Sequence, residues 1–79
     1  MWECEIELND INRVYKLAEI LGECDYDTDL MSTNRHYVID AKSIMGILSL
    51  DLSKKLILLA HTDDSEKIYK LKEDIKNLC

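Results

Sequence analysis

The sequence predicts an α+β domain: a four-stranded antiparallel sheet with three helices on one face and solvent on the other, in the order βαββαβα. Three observations predict it. Trp2, Cys4, Ile6 and Leu8 alternate with Glu3, Glu5 and Glu7, the period-two pattern of a strand with one dry and one wet face. Three glutamates leave that outer face uncovered, and a sheet with one solvated face is antiparallel as a rule. Helical and strand-like periodicities then follow one another along the chain, and the helices are left only the opposite face to pack on.

Each element has its own signal. Asn9 or Asp10 caps a first helix in which Ile11, Val14, Leu17 or Ala18, and Leu21 keep the three-and-four spacing, with Gly22 as its stop. The segment from Asp27 to Thr33 alternates weakly, and Asn34 and Arg35 can form a tight turn into His36 to Asp40, so these two read as a hairpin. Ser43 stands directly before an apolar run broken by Gly46, with Ile44, Ile47 and Leu48 at helical spacing. A helix of barely two turns does not hold itself together in water, so it must lean on the core. Met45 and Leu50 lie off its stripe, so its apolar residues nearly encircle it and one side is left exposed, which suggests a partner. Leu56 to Ala60 is a continuous apolar run behind Lys54 and Lys55, as expected of a strand with neighbours on both sides. Asp63 or Asp64 opens a last helix with a stripe of Ile68, Leu71, Ile75 and Leu78.

Length and composition bound the rest. Seventy-nine residues make one domain, 1–79, with one modest core. Sixteen acids against ten bases give a net charge of -6, a poor footing for nucleic acid or an anionic membrane. The start of the chain has neither a basic region nor a long apolar run, so a cytoplasmic location is expected. Cys4, Cys24 and Cys79 are odd in number and form no C-x-x-C pair, which argues for reduced thiols and against a disulfide framework or a zinc site.

The segment K-S-I-M-G-I-L-S-L, Lys42 to Leu50, resembles the second-helix motif of HPr, the histidine phosphocarrier of the bacterial sugar phosphotransferase system. Y-D-T-D-L, Tyr26 to Leu30, is similar to the opening of that family's second strand and stands at the family's distance from the serine without a gap. The resemblance covers most of the chain, fades in the first third, and implies the open-faced sandwich of HPr type. It also implies where the chemistry would sit. The family carries phosphate on a histidine just before the first helix, in a G-[IL]-H-A-R-P signature, cradled by helix amides and the arginine. Here the place reads D-I-N-R-V-Y, Asp10 to Tyr15, with Asn12 at the histidine position, Val14 at the arginine position and Tyr15 at the proline position. An amide has no nitrogen able to form a phosphoramidate, so the carrier reaction is expected to be absent.

By the same resemblance Ser43 is the regulatory phosphorylation site, and Ile44, Met45 and Leu48, with Arg13 on the first helix, meet partner proteins, while Ile47 and Leu50 turn inward. On the residues alone Ser43 is an N-cap, Arg13 an exposed helix arginine, and the five apolar residues core. His36 falls in the hairpin and His61 at the end of the fourth strand, neither beside an anion cradle.

The expected protein is thus a monomeric, non-enzymatic HPr-like paralogue without cofactor or metal, regulated at Ser43. Its implied partners are proteins of the phosphotransferase system or an HPr kinase/phosphorylase. The alternatives are a small-molecule-binding regulatory module of ferredoxin-like type and a carrier with an atypical phosphoacceptor. A small acyl phosphatase fits poorly, because the turn at Asn9 and Asp10 is acidic and without glycine.

Overall fold

A computed structural model describes residues 1–78 and shows the expected order: β1 (Trp2–Ile6), α1 (Ile11–Gly22), β2 (Thr28–Ser32), β3 (Val38–Asp40), α2 (Ile44–Leu48), β4 (Leu56–Ala60) and α3 (Ser65–Ile75), the last followed by a short 3₁₀ turn, Lys76–Leu78. Cys79 lies outside the described residues. The sheet runs β1-β4-β2-β3 with every pairing antiparallel. Register sets its two ends: Ile6 and Ser32 both pair with Leu56 at one, Trp2 and Thr28 both pair with Ala60 at the other. The apolar run 56–60 is indeed a central strand.

One core joins the sheet to all three helices. Ile6, Leu30, Leu56, Leu58 and Ala60 from the sheet cluster with Val14, Leu17 and Leu21 of α1, Ile47 of α2, and Leu71 and Ile75 of α3. Each large side chain buried this way stabilises the fold by about 1.5–3 kcal/mol, and that burial holds a helix as short as α2 in place. On the other face Glu3 and Glu5 are exposed, and Glu3 pairs with Arg35 at 3.0 Å. Met31 and Ile57 share that face yet are buried, because they sit on the two central strands with a neighbour on each side.

Four details differ from the sequence reading. Gly22 is the last helical residue of α1 and takes no left-handed conformation; Glu23, at φ −92°, caps the helix and its N–H reaches Ile20 O at 3.3 Å, so the stop needs no glycine. Ile11 is half exposed, since a residue in the first turn of α1 lies beyond the edge of the core. The hairpin is joined by a five-residue loop, 33–37, and its strands are shorter than expected. The Asn34 carboxamide sets that loop, its Oδ1 accepting from His36 N at 3.0 Å, with Arg35 left-handed at φ 62°.

Candidate functional site

The two positions singled out by the resemblance are the starts of α1 and α2, and they are built differently. After β1 the chain is pinned by Glu7 N donating to Leu78 O at 2.8 Å, and it enters α1 through Asp10, which is extended at φ −138°, ψ 135°. Asp10 Oδ1 accepts from Asn12 N at 2.8 Å, and its carbonyl accepts from Arg13 N and Val14 N. A helix N-terminus stabilises an anion through its free N–H groups and positive dipole end. Here a carboxylate already holds that place, and a phosphoryl dianion brought beside it would meet like charge.

The rest of the family cradle is missing too. Val14, which the resemblance places at the arginine position, is fully buried in the core. Arg13 is half-buried, and its Nε donates to Glu7 O at 2.8 Å, which ties α1 back to the end of β1. Asn12 itself is exposed on the first turn.

Ser43 also caps its helix through an extended backbone, but with a neutral oxygen: Oγ accepts from Gly46 N at 3.1 Å. Behind it α2 divides sharply. Ile47 is fully buried and Leu50 half-buried, whereas Met45 is 82%, Leu48 45% and Ile44 37% exposed. Gly46 brings the helix close to the sheet, since a Cβ there would lie 3.5 Å from Ile39 Cβ. Two neighbours, Ile11 and Tyr15, are exposed on α1, which packs against α2. Five large apolar side chains therefore face solvent on these two helices.

One contributor carries no sequence signal. Lys42 Nζ donates to Cys24 O at 3.0 Å and to Tyr26 O at 2.9 Å, closing carbonyls just past the end of α1 and fixing the approach to Ser43. In the same segment the Tyr26 hydroxyl is pushed up from its ordinary pKa, first by burial and then by its contact with Cys24 Sγ at 3.3 Å.

The histidines stand apart. His61 follows Ala60 at the end of the sheet away from Asn12, where its Nε2 lies 2.7 Å from Asp29 Oδ2. His36 is exposed in the hairpin loop. Among the described residues no group of three or more His, Cys, Asp or Glu side chains is placed to hold a metal ion, and no helix is long and apolar enough to cross a membrane.

No protein-family model and no curated protein matches this sequence. Among solved structures, the chain is similar to the crystal structure of HPr-C-His from Thermoanaerobacter tengcongensis, with a TM-score of 0.72 and 27% identity over 95% of this chain and 90% of that one. The element order, the sheet topology and this neighbour together give the chain the HPr fold.

Proposed function

We propose that this chain is a regulatory, protein-binding relative of HPr that does not carry phosphate on the first helix and acts through α2. One observation carries the reading: a neutral, capped helix start at Ser43 leads into exposed Ile44, Met45 and Leu48, while the other helix start is occupied by the Asp10 carboxylate. Exposed side chains of this size cost solubility unless something covers them for part of the time. The occupants that the resemblance suggests are proteins of the phosphotransferase system and an HPr kinase/phosphorylase. Ser43 suits the kinase reading because a phosphate there adds charge at the positive end of α2 and changes the surface without unfolding it. In this reading the protein is a cytoplasmic monomer that catalyses nothing itself.

Incubation with enzyme I and phosphoenolpyruvate tests the loss of carriage. The proposal expects no acid-labile phosphoryl adduct; such an adduct on any residue overturns it. Incubation with an HPr kinase and ATP tests the regulatory arm, which expects an acid-stable phosphate on Ser43 that Ser43→Ala abolishes.

A further inference from the structure

We infer that the free edge of β3 pairs antiparallel with β3 of a second copy of this chain, joining two sheets into one. β3 is the outermost strand beside β2. Leu30 pairs with Ile39, Ala41 N donates to Thr28 O at 3.0 Å and Ser32 N to Tyr37 O at 3.0 Å, so residues 37, 39 and 41 turn their backbone groups toward β2. Those of Val38 and Asp40 therefore turn outward. Asp40 O is taken by Ser43 N at 3.0 Å, while Val38 N–H, Val38 C=O and Asp40 N–H meet no protein partner among the described residues. Large apolar side chains stand open at the same place, Tyr37 at 67% and Val38 at 56% exposure. Residues 36–41, H-Y-V-I-D-A, hold none of the lysines or prolines that commonly guard a sheet edge.

The segment is complementary to itself, which selects the occupant. Centred on Val38, an antiparallel copy sets Val38 against Val38, Tyr37 against Ile39 and His36 against Asp40 of the second copy. Val38 N–H then meets Val38 C=O across the seam, and Asp40 N–H meets His36 C=O, each twice by symmetry. Alternation puts Tyr37 and Ile39 on the helical side, where both line a cleft of about 590 Å³ beside Leu50, and the second copy's Tyr37 ring lies in that cleft. On the solvent side the His36 imidazole stands as donor against the Asp40 carboxylate. The β1 edge lacks this match: exposed Glu3 and Glu5 lie along it, and two copies joined there set like charges together. The β3 seam is separate from the exposed face of α2, and the inference does not depend on that face binding a partner. A three-residue strand falls short of the roughly 1,200 Å² buried in a stable complex, so the pairing is reversible. Single chains prevail when dilute, and pairs form at about 0.1–1 mM.

Sedimentation equilibrium of the whole chain under reducing conditions, from about 10 μM to about 2 mM, tests this together with amide spectra over the same dilution series. The expected result is a mass that rises reversibly toward twice that of the chain, with concentration-dependent shifts centred on residues 36–40. Val38→Lys and Tyr37→Ala, both at exposed positions, should each weaken pairing at least about tenfold while leaving the remaining amide spectrum of the dilute chain unchanged. A single-chain mass at every concentration, shifts centred on α2 or β1, or undiminished pairing by either variant would each overturn the inference.

Discussion

The starts of α1 and α2 share a backbone device and differ in one charge, and that charge separates their possible uses. Both caps, Asp10 and Ser43, are extended residues whose side-chain oxygen accepts an amide of the first turn. Asp10 brings a full negative charge to its helix start, so that end is electrostatically satisfied and closed to another anion. Ser43 brings none, so the α2 end can still accept charge, and apolar side chains lie open beside it. One helix start is capped by a carboxylate, the other by a neutral hydroxyl.

The largest effect that would break this comparison concerns restoring the first site. Asn12→His alone should not accept phosphate from enzyme I, because the Asp10 carboxylate still stands at the helix start and Val14 still lacks a guanidinium. Autoradiography of the variant after incubation with labelled phosphoenolpyruvate checks this, and efficient labelling would show that the imidazole was all that had been lost. Next in size is the contrast inside α2. Ile47→Ala should cost about 2–5 kcal/mol in denaturant unfolding, and Met45→Ala less than about 0.5 kcal/mol. Similar losses would mean that Met45 is packed and the exposed patch does not exist.

The caps themselves come third. Asp10→Ala and Ser43→Ala should each cost about 1 kcal/mol, but only Asp10→Ala, which removes a charge that favours the helix dipole, should show a salt-dependent loss. Gly22→Ala should stabilise by about 0.5–1 kcal/mol, because the residue is helical and a Cβ there meets nothing within 4 Å; destabilisation would restore glycine as the stop of α1. The smallest effect lies away from both helix starts. Lys67 hydrogen-bonds Asp25 and holds its carboxyl below the ordinary value, so the pair contributes above the usual carboxylate range and is lost as pH falls through the lowered pKa of the folded state. Lys67→Met should therefore lower the neutral region of a stability–pH curve slightly and flatten its acid side, the two curves converging below the lowered pKa.

Much of the architecture was legible because burial writes a period into the chain. The alternation of Trp2 to Leu8 and the stripe of Leu71, Ile75 and Leu78 needed no tertiary information, and the antiparallel, one-sided sheet followed from the glutamates. What was not legible depends on contacts between residues distant in sequence or on single dihedrals. Lys42 looks like any surface lysine until the fold brings Cys24 O and Tyr26 O to it. Ile11 fits the stripe of α1 by spacing, yet it overhangs the core because the first turn starts beyond the sheet. The hairpin loop follows from the left-handed Arg35 and the Asn34 side chain rather than from a two-residue turn. At the candidate site the missing imidazole could be read directly. The carboxylate that caps the first turn of α1 could be suspected from Asp10 but was established only by its bond to Asn12 N.

The division of labour between the two helix starts is tested most directly by mapping backbone amide shifts while enzyme I is titrated into the labelled chain. The account predicts perturbations centred on Ile44 to Leu48, spreading to Ile11 and Tyr15, and abolished by Met45→Asp. A map that leaves α2 unmoved, or one unchanged by Met45→Asp, would contradict it.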